Sequence, residues 1–320
     1  MDATNALIEK IQRNIPQGEN VVKYLTSKLG ISKESAYRRM RGSVPFPLEE
    51  IQKLALDLNF SLDDIIRKET PNVVNNKENK DDLLRIHINS LQDFTNTLIC
   101  HTGQRSAFFS ANRILFPFIL EYDALFDLYF FGQMHKSQLF NGIRSFSELP
   151  VSKEIHSVRQ YIIDRFPSLD QREYILGRDL FSGVTRKIQY FRRLKLISEK
   201  EVENLKRELF QILQKMETEM ETGYNEKGEE CLYYFSWLDV DANAIYVDCG
   251  DKLVGLCWCF GVSNIPNFYS NSQDYRYMEW LESQKRYTIL ISQSSEFIRS
   301  EFIDRQKGFI ESISDKKSFY

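Results

Sequence analysis

LGISKESAYRRMRGS, Leu29–Ser43, sets three arginines and a tyrosine between a Gly-Ile-Ser turn and a second glycine. An arginine cluster fits either a solvated helix face or a surface that grips an anion, so the flanking residues decide. Gly30 ends a preceding helix that starts near Gly18 or Asn20 and turns Val21, Val22, Leu25 and Leu29 inward. Ser32 caps the next helix with its hydroxyl on the amides of Glu34 or Ser35, and Gly42 stops that helix one turn after Arg38. Pro47 in a first turn and the run Leu48, Ile51, Leu54, Ala55 and Leu58 predict a third amphipathic helix. Ser61 opens a short fourth around Leu62, Ile65 and Ile66.

Two helices joined by such a turn, the second with small buried and long basic residues, make a helix-turn-helix arrangement. YLTSKLGISKESAYRRMRGSVPFPLEEIQKLALDLNFSLDDI, residues 24–65, resembles the Cro/CI-type (XRE) DNA-binding domain, and the resemblance extends over roughly residues 6–68. It implies a lambda-repressor-like, all-α helix-turn-helix domain over residues 1–69, with Ser32–Arg41 as recognition helix. By that resemblance Ser32, Lys33, Glu34, Ser35, Tyr37 and Arg38 face the groove, with Tyr37 and Arg38 foremost at the bases. Lys23, Arg39 and Arg41 are then the phosphate contacts, Ala36 packs inward, and Leu25, Leu29 and Ile31 fix the angle between the helices. The physics agrees, because a helix fits the major groove, arginine donates two hydrogen bonds to guanine, and neighbouring cations neutralise phosphates. Two positions depart from the family: Val22 stands where a phosphate-touching glutamine is common, and Met40 where glutamate is.

A net charge of −3 and a pI near 6.0 exclude a chain coated in basic charge, so nucleic-acid contact has to come from a local patch. The start of the chain lacks the pattern of a secretory signal, and the most apolar run is broken by Glu121, Asp123 and Asp127, which are costly in a bilayer. Five cysteines without a disulfide framework fit reduced thiols. The expectation is a cytoplasmic protein, associated with the nucleoid when bound, and no membrane partner.

Residues 70–82, TPNVVNNKENKDD, are polar and asparagine-rich and read as a linker to a regulatory and dimerisation domain over residues 83–320. There Leu84, Ile88, Leu91, Phe94 and Leu98 predict a core-facing helix, and Ser152–Gly223 reads as helical throughout. Its best segment starts at the capping box of Ser198 and Glu201. SAFFSANRILFPFILEYDALFDLYFFGQ, residues 106–133, is ambiguous by period, its first part suiting a strand and Leu120–Phe131 a buried helix, and the segment near 230–262 suits three short strands in an antiparallel meander. The fold class expected is therefore mainly α, with a small antiparallel β-sheet (α+β) in the large domain.

Residues that could carry chemistry are few. Cys257 and Cys259 share one strand face, and Cys231 and Cys249 suit neighbouring strands, but no zinc knuckle spacing joins them. His87, His101, His135 and His156 are dispersed, and no HExxH, GxSxG, Walker or GxGxxG motif occurs. Asp239 with Asp241 and Asp248 with Asp251 sit where turns favour aspartate. No catalytic residue, metal or cofactor is expected. The aromatic run of Phe108, Phe109, Phe116, Phe118, Tyr122, Phe126, Tyr129 and Phe130 suits either a ligand pocket or a core packed with rings, and the core is favoured.

The function expected is a sequence-specific DNA-binding transcriptional regulator, not an enzyme. It would sit on a palindromic operator as a homodimer, its C-terminal domain sensing a small molecule or peptide or mediating assembly. The alternative is a protein-interaction module whose helix-turn-helix scaffold does not bind DNA.

Overall fold

The computed structural model of the chain describes residues 3–16, 18–60, 80–136, 145–149, 151–240, 242–250, 253–259, 262–264 and 279–314. The backbone divides into two units, Met1–Glu78 and Asn79–Tyr320. The fourth helix expected from Ser61, and the expected linker as far as residue 79, lie outside the described residues.

The first unit is helical: α1 (Ala3–Asn14), α2 (Val21–Leu29), α3 (Lys33–Met40) and α4 (Leu48–Asp57). Local chemistry sets the boundaries. Asn20 Oδ1 accepts the amides of Val22 and Lys23 at 3.0 and 3.2 Å, which starts α2. Gly30 ends it in the left-handed region at φ 68°, where a side chain would be strained. Pro47 occupies the cap of α4 rather than its first turn. The core joins Leu7, Ile8 and Ile11 of α1 to Tyr24, Leu25, Ala36, Leu54 and Leu58. Leu48, expected on the inner face of α4, is 67% exposed, because the helix begins there and turns Ile51 and Leu54 inward instead.

The second unit begins with α5 (Lys80–Ile99), which starts inside the expected linker and buries Ile88, Leu91, Phe94 and Leu98 completely. Its sheet runs in the order β6-β5-β4-β1-β2-β3-β7. The strands are β1 (Ser106–Ala111), β2 (Gln171–Gly177), β3 (Glu230–Ser236), β4 (Ala244–Asp248), β5 (Leu253–Cys259), β6 (Val262–Asn264) and β7 (Thr288–Leu290). The unit is mainly helical with a small sheet, but the sheet is mixed rather than antiparallel. β1 pairs with β2 and β2 with β3 in parallel, and the outer pairs are antiparallel. The meander expected near 230–262 consists of β4, β5 and β6, whereas β3 crosses to the far side of β2. β2 lies inside the stretch read as helical. Its last five residues are all buried, so it shows none of the alternation that marks a one-sided strand.

The connections are helical: α6 (Asp123–Lys136) and α7 (Lys153–Arg165) between β1 and β2, then α8 (Ser182–Arg193) and α9 (Glu199–Thr222) before β3. α10 (Glu296–Glu311) follows β7. The capping box at Ser198 forms in both directions, and Val202, Leu205, Leu209, Ile212, Met216 and Met220 are buried along α9. Glu208, buried on the same helix, accepts the amides of Ala124 and Leu125 at 3.1 and 2.9 Å and so caps α6 from a distance. Among the described residues no helix is long and apolar enough to cross a membrane.

Candidate nucleic-acid interface

α3 owes its start to Ser32, whose hydroxyl accepts the Ser35 amide at 3.2 Å. Ala36 is completely buried, which brings the helix close to the core and fixes which side faces out. Lys33, Glu34, Tyr37, Arg38 and Arg41 are exposed, and their spacing of i, i+1, i+4, i+5 and i+8 places them along one stripe. Tyr37 is 50% exposed, an open position for a large ring. Lys23 is exposed in the first turn of α2, beside the Asn20 cap.

Arg39 has a different place from its neighbours. Its Nε and Nη2 donate to the two carboxylate oxygens of Glu50 at 2.7 and 2.8 Å, and its Nη1 donates to the Ser35 hydroxyl. The side chain is only 11% exposed. Arg39 therefore does not stand out as a phosphate contact, and the Ser35 hydroxyl is engaged with it. Arg39 holds α3 against α4, and Ser35 steadies the guanidinium from within α3. Glu50 had no role in the sequence reading, and the signal for it is faint: an acid in the first turn of α4, where any helix favours one.

Asp57 at the other end of α4 does the same for α2. It accepts the Tyr24 hydroxyl and pairs with Lys28 at 2.5 Å. Those two hydrogen bonds hold its carboxyl below the ordinary range, and burial together with Asp57 pushes the Tyr24 hydroxyl up. Glu50 and Asp57 are two turns apart on α4, so one helix grips both members of the helix-turn-helix pair.

The other candidates are not brought together. Cys231 and Cys249 are buried, and β3 and β4, which carry and precede them, are separated by β1 and β2. Burial pushes the Cys231 thiol up to about 12. Cys257 faces the Tyr246 hydroxyl at 3.3 Å, while the side chains of Cys259 and His87 lie outside the described residues. His135 meets the Tyr190 hydroxyl at 3.1 Å and His156 packs by Phe126. Asp248 accepts the Gly250 amide at 2.8 Å in a turn, and Asp241 and Asp251 are outside the described residues. Among the described residues no group of three or more His, Cys, Asp or Glu is placed to hold a metal ion.

Neither the curated proteins nor the solved structures contain a match to this chain. Residues 10–104, from within α1 through α5, match the BetR domain, a helix-turn-helix-like DNA-binding domain family.

Proposed function

We propose that the chain is a transcriptional regulator of the Cro/CI type that inserts α3 into the major groove of double-stranded DNA. The observation that carries this reading is the exposed stripe of Lys33, Glu34, Tyr37, Arg38 and Arg41 on a helix whose opposite side is locked by Ala36 and by Arg39 with Glu50. A helix with its side chains is about 10–12 Å across, the width of the groove. Arg38 donates its two parallel N–H groups to a guanine, Tyr37 lies against base edges, Lys33 faces the groove beside them, and Lys23 and Arg41 neutralise phosphates. Arg39 is removed from the set of phosphate contacts and acts by positioning the helix.

One such module makes too few contacts for operator-level specificity, so the chain binds as a homodimer with recognition helices about 34 Å apart on a palindrome. The second unit senses a signal or mediates assembly, the chain works in the cytoplasm, and it is not an enzyme. Selection of bound sites from random double-stranded DNA tests the reading. Enrichment of an inverted repeat with half-sites one helical turn apart is expected. Absence of any salt-dependent DNA affinity would favour a protein-interaction module built on the same scaffold.

A further inference from the structure

The second unit holds a cavity of about 220 Å³ between one face of the sheet and α9. Its floor is a row of rings. Phe109 is the register partner of Tyr174, and Tyr174 of Tyr233, with centroids 4.6 and 4.3 Å apart and planes within 20° and 11°. The stacking axis runs across the strands, so the rings turn their edges, not their faces, out of the sheet. Ile163 of α7 and Ile212 and Met216 of α9 form the opposing walls, and Phe118 leans over the row, 5.8 Å from Phe109.

The polar groups gather at one end. Glu219 is buried and accepts the Tyr233 hydroxyl at 2.5 Å. Arg172, two residues before Tyr174 on the same face of β2, donates to Glu229 at 2.5 Å. Lys215 pairs with Glu121 at 3.2 Å nearer the mouth, where Glu121, Glu226 and Lys227 are exposed.

Three properties of an occupant follow. The C–H edges of Phe109, and of Tyr174 and Tyr233 beside their hydroxyls, carry the positive end of the aromatic quadrupole and complement the negative face of a planar π system. An apolar cavity of about 150 Å³ holds benzene, and this one is half as large again, the room a second fused ring needs. Both cations that face the interior already have carboxylate partners, so an anion finds no uncompensated counter-charge, and burial, which raises the Glu219 carboxyl, disfavours charge at that end of the cavity. We propose that this cavity is an effector site for an uncharged, planar, two-ring aromatic molecule that lies face-down on Phe109, Tyr174 and Tyr233 and directs one hydrogen-bonding group to Glu219.

The proposal takes from the regulatory reading only that the occupant is a signal. Binding is measured on the full chain without DNA, so its failure and the failure of operator binding are separate results. The probe is 2-naphthol, titrated by calorimetry at neutral pH beside 2-naphthoate and decahydro-2-naphthol. One molecule of 2-naphthol per chain is expected to bind, with the anionic and the saturated analogues each weaker by roughly tenfold or more. Ile163→Trp fills the cavity from a half-buried position and is expected to weaken 2-naphthol by a similar factor; Ile163→Phe fills less and serves if the tryptophan unfolds the chain. No binding of 2-naphthol, or binding unchanged by filling the cavity, would overturn the site. Equal or tighter binding of either analogue would overturn the ligand class.

Discussion

Arg39 and Glu50 are joined by two parallel hydrogen bonds of 2.7 and 2.8 Å across the contact between α3 and α4. An arginine from the middle of a basic cluster thus serves the angle of the helix that its neighbours use. The pair is 11% and 18% exposed, so solvent screens it less than an ordinary surface ion pair. Arg39→Ala is expected to lower the unfolding free energy by about 2 kcal/mol in urea titration, since it strands a largely buried carboxylate. The slope of log affinity for DNA against log salt should stay the same; a fall by about one phosphate's worth would return Arg39 to the backbone contacts.

Arg38→Ala is expected to behave in the opposite way. Its stability should stay within about 0.5 kcal/mol of the parent, because the side chain is exposed. DNA affinity should fall by about 1–3 kcal/mol, with selectivity relaxed at one base pair. Lys23→Ala and Arg41→Ala should weaken all sequences alike and each reduce the salt slope by about one. Binding titrations at several salt concentrations separate these outcomes.

Gly177 ends β2 directly beneath Asn112, and a Cβ there would collide with the Asn112 amide oxygen and lie 3.1 Å from its Cγ. Asn112 cannot easily yield, since it donates to the Val240 carbonyl at 2.7 Å and accepts the Val240 amide at 2.9 Å. Gly177→Ala is expected to cost about 2–3 kcal/mol of stability. Adding Asn112→Ala removes the collision, so the double variant should lose less than the sum of the two single losses, as a double-mutant cycle would show.

Burial pushes the Asp127 carboxyl up to about 6, with His156 and Arg159 pulling down and Asp123 and Glu208 pushing up. A carboxyl whose folded value is raised supports the fold while protonated, and that support is lost as pH rises from the ordinary carboxyl range through about 6. Asp127→Asn is neutral at every pH. It is expected to be more stable than the parent by about 1–2 kcal/mol at pH 7, after discounting for partial exposure, and equal to it near pH 4. Thermal melts across that range give the comparison.

The features legible in the sequence are those made by near neighbours. Asn20, Gly30, Ser32 and the Ser198–Glu201 box each act within about one helical turn, so their side chains announce their roles. Arg39 was not legible, because its partner is on another helix and a guanidinium suits carboxylate and phosphate equally. β2 was not legible either, since both of its sheet partners are far off in the chain and its burial hides the alternating pattern. The aromatic run was half legible. Phe109, Phe118 and Tyr122 line the cavity, but Phe116, Phe126 and Phe130 pack in the core, and the cavity's central rings, Tyr174 and Tyr233, belong to later strands.

The position of β1 in mid-sheet has a consequence for how the chain is made. Ser106 is paired with Gln171 on one side and Asp248 on the other, so β1 emerges from the ribosome long before either neighbour. At about 5–20 residues per second, its second edge stays unpaired for roughly 7–28 s. The helices of the first unit close over much shorter separations, as in the bond from Asn14 to Leu58, and complete themselves within that interval. Synthesis interrupted before β2 would release a finished helix-turn-helix attached to an adhesive, unpaired Ala107–Ala111. Aggregation during overexpression should therefore begin from that strand, and slower translation would lengthen the exposure rather than relieve it.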